Sequence, residues 1–190
     1  MVKGMYHYIG QAWQNPSKDD LHTRLIKWRA GNSIVVVEKP LRLDRARALG
    51  YKAKKGFVVV RVRLKRGGRK RPRHKHGRKT RKQHVSKILK MNYRWVAEQR
   101  AEKAFSNLEV LNSYYIGQDG KFFFFEVLLI DPEMPEIKGD SALNWIANPQ
   151  NKNRAARGIT SAARKSRGLR YKGPNRKVRP SARAWGRIGK

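Results

Sequence analysis

A run of eighteen residues, 65–82 (KRGGRKRPRHKHGRKTRK), constrains this chain most, because it contains nothing that can form a core. Eleven of its residues are Lys or Arg, none is acidic and none has a large apolar side chain. Its three glycines and Pro72 disfavour a helix, since glycine adds backbone entropy and proline removes a hydrogen-bond donor. In isolation the charges repel one another, so the run needs a polyanion to become ordered. A phosphate backbone would supply that polyanion, and a solvated charge run or a localisation tag is the alternative interpretation.

The excess of cations is concentrated in two segments. The chain of 190 residues has 46 Lys and Arg against 13 Asp and Glu, a formal net charge of +33. Segments 45–97 and 141–190 contain no acidic residue and hold 21 and 14 of the cations, respectively. The other residues carry 11 cations and 13 acids, a net charge of −2. The sequence therefore predicts a nearly neutral body with two strongly basic appendages, a distribution typical of nucleic-acid binding.

Several classes of protein are excluded or disfavoured by what the sequence lacks. There is no cysteine, so disulfide scaffolds, thiol nucleophiles and cysteine metal sites are excluded. The first residues, MVKGMYHYIGQAW, lack the long apolar run of a signal peptide. No stretch reaches about 18 consecutive apolar residues, so we expect no membrane partner.

The apolar pattern predicts an α/β (α+β) sheet, mainly antiparallel, with helices packed against it. Helices are expected at 5–13, 17–30, 43–49 and 92–107, with briefer ones at 141–147 and 160–166, and strands at 33–38, 57–64, 108–116 and 121–130. Alternation in the second strand places Val60 and Val62 on one face and Val59 and Arg61 on the other. The last strand is apolar on both faces, so it requires cover on both sides.

The sequence offers no assembled catalytic or metal site. His74 and His76 lie close together, but neither a cysteine nor an ordered carboxylate accompanies them. The loop 131–140 (DPEMPEIKGD) has four carboxylates without the spacing of a cation-binding motif, so a nuclease that uses them is a weaker alternative. Glu98 and Glu102 resemble a pair of catalytic acids, yet near so many arginines we expect solvated or charge-compensating glutamates. We therefore expect no enzyme, no cofactor and no small-molecule substrate.

The irregular composition of the basic segments favours RNA over DNA as the partner. DNA sequence is usually read by a helix or ribbon of defined geometry, and neither segment contains an obvious one. RNA is recognised through shape, loops and phosphates, which suits long arms interrupted by glycine. A DNA-compacting, chromatin-like protein is the rival interpretation. Trp95 lies off the apolar stripe of helix 92–107, so we expect the returning arm to cover it, with stacking on a base as the alternative.

Three long blocks resemble the L15e family of large-subunit ribosomal proteins. They are RLDRARALGYKAKKGFVVVRVRLKRGGRKRP (42–72), RWVAEQRAEKAFSNLEVLNSYYIGQDGKFFFFEVLLIDP (94–132) and RGITSAARKSRGL (157–169), and they follow the order of the family. The resemblance implies a non-catalytic structural protein, cytoplasmic and ribosome-bound, whose partners are ribosomal RNA and neighbouring ribosomal proteins. It also implies a four-stranded β-(α)-β-α-β-β core with helices on both faces and long basic extensions. The two ends of the chain resemble archaeal members more than eukaryotic ones.

We expect residues 1–149 to form a single globular body that is interrupted by a basic RNA-binding arm, 65–90. Residues 150–190 are expected to form a basic C-terminal extension. The side chains expected to contact RNA at the arm are Arg61, Arg63, Lys65, Arg66, Arg69, Lys70, Arg71, Arg73, His74, Lys75, His76, Arg78, Lys79, Arg81 and Lys82. Those expected in the extension are Arg157, Arg164, Lys165, Arg167, Arg170 and Lys172.

Overall fold

Four strands form one antiparallel sheet, and helices cover both of its faces. The structure, a computed structural model, describes residues 2–70, 72, 76–77, 86–87 and 89–170. Along the chain the elements are α1 (Met5–Ala12), α2 (Lys18–Ala30), β1 (Ile34–Val37), α3 (Leu43–Ala48), β2 (Phe57–Lys65), β3 (Arg69–Lys70), β4 (Ser86–Lys87), α4 (Tyr93–Ala104), β5 (Glu109–Gln118), β6 (Phe122–Ile130), α5 (Pro135–Lys138) and α6 (Ser161–Ser166). Two 3₁₀ turns, Asn144–Ala147 and Pro149–Asn151, separate α5 from α6. None of the described helices has the length and apolarity needed to cross a membrane.

The sheet has the strand order β1-β2-β6-β5, and every neighbouring pair is antiparallel. In the register of the two central strands, Phe57 lies opposite Ile130. The hairpin between β5 and β6 turns at Asp119, whose carboxylate accepts the backbone N–H groups of Lys121 at 2.7 Å and Phe122 at 2.6 Å. The predicted four-stranded, antiparallel α+β fold is therefore confirmed.

Each face of the sheet has its own apolar core, as the two-sided pattern of β6 predicts. On one face Trp28 of α2 and Ala46 of α3 pack against Phe124 and Leu128. On the other face Ala97 and Ala101 of α4 pack against strand residues that include Val60, Val62, Phe125, Val127 and Leu129. The two alanines are fully buried, so α4 approaches the strands closely. The predicted cover by helices on both faces is confirmed.

Local capping signals explain where the helices begin and end. The Asn92 side chain accepts the backbone N–H of Trp95 at 2.8 Å, which starts α4 at the predicted position. Helix α4 ends at Ala104, three residues before the predicted end, because Phe105 leaves the helical region with φ −125° and ψ 74°. Gly50 follows α3 with a φ of +98°, a conformation that favours glycine after a helix. The loop 131–140, expected to lack regular structure, contains the short helix α5, which buries Ile137 in the first core.

The basic arm begins with a second, two-stranded sheet that is separate from the four-stranded one. Beyond β2 the backbone turns at Gly67, with a φ of +95°, and its N–H donates to the Tyr93 hydroxyl at 3.0 Å. Strands β3 and β4 then pair antiparallel, with Lys70 opposite Ser86. A short ladder therefore closes the base of the arm, although composition alone predicts no ordered pairing there.

Candidate nucleic-acid interface

Two buried glutamates of α4 hold the chain between the sheet and α6. Glu98 accepts hydrogen bonds from the hydroxyls of Ser113 on β5 and Thr160, each at 2.5 Å. Glu102 accepts the backbone N–H groups of Ala155 at 2.8 Å and Ala156 at 2.7 Å. Both carboxylates are buried and occupied by donors of the protein itself, so of the two predicted roles, solvated or charge-compensating, the solvated one is wrong.

Glu109, at the start of β5, continues this set of contacts. It is buried and accepts the backbone N–H groups of Asn153 at 3.0 Å and Arg154 at 3.4 Å. The Arg154 guanidinium turns inward and donates to the carbonyl oxygen of Val110 at 2.6 Å. We name Glu98, Glu102 and Glu109 the glutamate clamp, because together they attach residues 153–160 to α4 and β5.

Burial and local charge shift the pKa values of the clamp carboxylates in opposite directions. Burial raises the pKa of Glu98, while the hydroxyls of Ser113 and Thr160 and then the guanidiniums of Arg94 and Arg154 oppose the rise. Burial also raises the pKa of Glu102, against the two backbone N–H groups that it accepts. The same burial lowers the pKa of Arg154, against the attraction of the three clamp carboxylates. Arg154 therefore compensates the clamp from inside the protein.

A fourth buried carboxylate, Glu126, lies on the opposite face of the sheet. It accepts the backbone N–H of Leu41 at 3.1 Å and the hydroxyl of Tyr114. Burial raises the pKa of Glu126, and these two donors together with Arg61 oppose the rise. Arg61 lies opposite Glu126 in the strand register, and its guanidinium is 5.3 Å from the ring centroid of Trp28. These contacts hold Arg61 against the body, half-buried.

Several acids of the body are withdrawn from its surface. The three clamp carboxylates and Glu126 are buried. Asp140 is paired with the ammonium groups of Lys52 at 2.5 Å and Lys54 at 2.7 Å. The near neutrality of the body, read from composition, therefore does not describe its outer face, where cations outnumber accessible carboxylates.

Aromatic rings order the guanidiniums at the root of the arm. Arg63 lies 4.8 Å from the ring centroid of Phe122 and donates to the carbonyl oxygen of Arg29. Arg66 lies 5.0 Å from the ring centroid of Phe123 and donates to the carbonyl oxygen of Asp119 at 2.8 Å. Such contacts reduce the side-chain freedom that a later phosphate contact would have to remove. The root of the arm is therefore preorganised.

The structure describes part of the expected interface in the arm. Lys65, Lys70 and His76 are exposed, and Arg69 belongs to β3. The expected residues that lie outside the described part of the chain are Arg71, Arg73, His74, Lys75, Arg78, Lys79, Arg81 and Lys82, together with Lys172 in the extension.

In the extension, the expected residues surround α6. Arg164, Lys165 and Arg170 are exposed, and Arg170 donates to the Ser161 hydroxyl. Arg157 is also exposed and donates to the carbonyl oxygen of Gln150 at 2.6 Å. Arg167 is half-buried and donates to the carbonyl oxygen of Gly158 at 2.7 Å.

Comparison with protein families agrees with this arrangement. A model of the ribosomal L15e family, described as Ribosomal L15, matches residues 4–185 of the 190 residues. The chain belongs to the ribosomal L15e family. It is accordingly a structural ribosomal protein of the large subunit. The match includes the whole arm, 65–90, and most of the extension, so both basic segments are part of the L15e pattern.

The cover over Trp95 in this L15e protein differs from the expected one. Its indole N–H donates to the carbonyl oxygen of Ala155 at 2.7 Å. A Cβ at Gly158 would lie 3.1 Å from the ring. The arm was expected to cover Trp95. Among the described residues, the C-terminal segment covers it instead. The reason is that the indole N–H needs an acceptor, which the clamped segment provides beside α4.

Two of the four carboxylates of loop 131–140 serve the local structure of the L15e protein. Asp131 accepts the backbone N–H of Glu133 at 2.9 Å, and Asp140 accepts that of Ala142 at 3.0 Å beside its two lysines. Among the described residues there is no group of three or more His, Asp or Glu side chains arranged to hold a metal ion.

Sequence reasoning missed the clamp and its arginines. Arg94 donates to the side chain of Asn112 at 3.1 Å, and Arg154 is buried, so neither behaves as the exposed cation that composition implies. One usable signal is the run of small residues in NRAARGITSAARK, since Ala155, Ala162 and Ala163 are buried. In an L15e chain rich in arginine, such a run indicates close packing rather than an open tail.

Proposed function

We propose that this protein binds and stabilises folded ribosomal RNA through its basic arm and C-terminal extension, without catalysing a reaction. The observation that carries the proposal is the separation of charge, with carboxylates buried in the clamp and cations exposed at the arm root and around α6. A surface of this kind attracts phosphate, and each neutralised phosphate releases counterions.

The remaining parts of the proposal follow from family membership. The partners are ribosomal RNA and neighbouring large-subunit proteins, and the location is the cytoplasmic ribosome. The two ends of the chain support an archaeal type. No cofactor is needed, because the function consists of contacts between cations and phosphates.

The test is incorporation of an arm-deleted variant into large subunits. Deletion of 65–82 removes the run of cations and leaves the sheet cores, so we expect a folded body that fails to incorporate. The matched control replaces the run with a glycine–serine linker of equal length, which separates loss of charge from loss of chain length. Normal incorporation of both variants would contradict the proposal.

A DNA-compacting protein is distinguished by competition between folded ribosomal RNA and duplex DNA. If about ten cations meet phosphate, the slope of log affinity against log salt is on the order of −7 to −9 for RNA. We expect folded ribosomal RNA to compete far better than duplex DNA at equal phosphate concentration. Equal competition would favour the rival function.

A further inference from the structure

Two concavities flank α6 and meet at Ser161 and Arg170. The larger, of about 660 Å³, lies between α6 and the 3₁₀ turn that carries Trp145. The smaller, of about 460 Å³, lies between α6 and the start of α4 at Tyr93. We name the two together the α6 groove. No acidic side chain is among the described residues that line it.

The groove is lined by both apolar and cationic side chains, whereas a simple phosphate site needs only the cations. Leu49, Ile159 and Leu169 supply apolar surface in the larger part. Exposed Arg164 lines the larger part and exposed Lys165 the smaller. The groove therefore presents apolar surface together with exposed cations, which matches a ligand that is both flat and apolar and carries negative charge.

Trp145 is held in place although it is partly open to solvent. Its side chain is 36% exposed, and its indole N–H donates to the carbonyl oxygen of Ala142 at 3.0 Å. The Arg154 guanidinium lies 4.6 Å from the ring centroid, and Arg154 is itself fixed by Val110. The Arg154 Nε is buried and has no hydrogen-bond partner among the residues that the structure describes. Because Arg154 covers one face of the ring, a base would have to stack on the opposite face. The immobilised indole suits this role, since little side-chain entropy remains to be lost.

The positive charge around the groove is only partly balanced. Burial lowers the pKa of Arg94, the nearby Glu98 opposes that shift, and the charges of Arg45 and Arg170 add to it. Arg154 is compensated by the clamp, whereas Arg164 and Lys165 are exposed on α6. An anion that enters the groove would therefore meet cations that have not been neutralised from inside.

We propose that the α6 groove binds unpaired RNA nucleotides, with a base stacked on Trp145 and the flanking phosphates at Arg164 and Arg170. The inference rests on the proposed function in taking RNA as the ligand, and it goes further by assigning a single-stranded segment to a particular place. A duplex presents its phosphates and keeps its base faces stacked inside, so it would leave the indole and the apolar wall uncovered. An acidic protein segment is the competing occupant.

The test compares Trp145→Leu with the unaltered full-length chain. The probes are a labelled oligouridylate of about ten nucleotides and a labelled RNA duplex of equal length. Fluorescence anisotropy measures the affinity of each protein for each probe. We expect Trp145→Leu to weaken oligouridylate binding roughly tenfold, to leave duplex binding within about twofold, and to leave the salt slope unchanged. Trp145→Phe should restore most of the loss because it keeps a ring. Tyr8→Leu, at an exposed aromatic residue on α1, is the matched control and should change neither affinity.

A second measurement uses the unaltered chain and does not depend on a variant that folds. Photocrosslinking of a thiouridine-containing oligonucleotide, mapped by mass spectrometry, should label the peptide that contains Trp145. Labels confined to the arm would overturn the inference, as would an equal loss of oligouridylate and duplex binding in Trp145→Leu. A further outcome is that Trp145→Leu weakens the binding of a polyglutamate peptide and leaves oligouridylate binding unchanged. That result would assign the groove to a protein partner and would also overturn the inference.

Different results would contradict the proposed function and this inference. If the unaltered chain binds folded ribosomal RNA with steep salt dependence while Trp145→Leu has no effect on oligouridylate, only the assignment of the groove is wrong. If the unaltered chain does not bind ribosomal RNA at all, the proposed function itself is wrong.

Discussion

Glu98 on α4 accepts a hydrogen bond at 2.5 Å from the hydroxyl of Thr160, a residue 62 positions further along the chain. The same carboxylate accepts a hydrogen bond from Ser113 on β5. Thr160 is also the N-cap of α6, since its side chain accepts the backbone N–H of Ala163. One buried side chain thus connects a helix, the sheet and the element that carries the exposed cations of the extension.

We expect Glu98→Ala to lower the free energy of unfolding by about 3–5 kcal/mol. The substitution leaves the Ser113 and Thr160 hydroxyls without their acceptor and leaves the charges of Arg94 and Arg154 less compensated inside the protein. Urea unfolding of the full chain measures the effect. Glu133→Ala, at an exposed carboxylate, is the control and should stay within about 0.5 kcal/mol. Equal stability of the two variants would show that the clamp is not structural.

Stability should fall as pH rises through the folded-state pKa of Glu126. Burial raises this pKa above its unfolded value, so between the two values the folded protein binds more protons than the unfolded chain. The free energy that the raised pKa contributes is complete below the unfolded pKa and is lost as pH rises through the folded one. In Glu126→Gln, urea unfolding across a pH series should show a shallower decline with pH. An unchanged decline would assign the titration to other groups.

Gly158→Ala should destabilise the attachment of the C-terminal segment by about 1–3 kcal/mol. Gly158 has a φ of +71°, and an added Cβ would lie 3.1 Å from both the Trp95 ring and the Arg167 Cδ atom. Thermal unfolding should show a lower Tm. Gly4→Ala is the control, since Gly4 has a φ of −72° and no atom of the described residues lies within 4 Å of an added Cβ. If Gly158→Ala lowers the Tm no more than the control does, the close packing of Gly158 against Trp95 and Arg167 does not contribute to stability.

Neutralising the arm root should weaken RNA binding without changing its sequence preference. Lys65 and Arg66 are exposed where the chain leaves β2, so we expect each Gln substitution to reduce the magnitude of the salt slope by about one. Titration of a folded ribosomal RNA fragment at several salt concentrations measures this. Lys138→Gln, at an exposed cation on α5, should leave the slope unchanged. A sequence-dependent loss would instead point to base contacts at the root.

Much of the fold could be predicted from sequence because its signals are local. Alternation in 57–64 assigned Val60 and Val62 to one face and Val59 to the other, and the two cores agree. The start of a helix at residue 92 and the break between strands 108–116 and 121–130 were also predicted, because a few adjacent residues determine such features, although β5 continues to Gln118. The end of α4 was misplaced by three residues, since nothing in the local pattern marks Phe105 as the point where the helix stops.

By itself, the sequence determined the class of fold, the antiparallel sheet and the two places where cations accumulate. Only the tertiary structure decided which charges are available. Glu102 meets Ala155 across 53 positions and Glu109 meets Asn153 across 44, so local periodicity contains no sign of either contact. A carboxylate or guanidinium looks the same in a sequence whether it is buried or solvated. Its burial depends on a partner that folding brings from elsewhere in the chain, and for that reason composition indicated a neutral body while the folded protein presents a basic one.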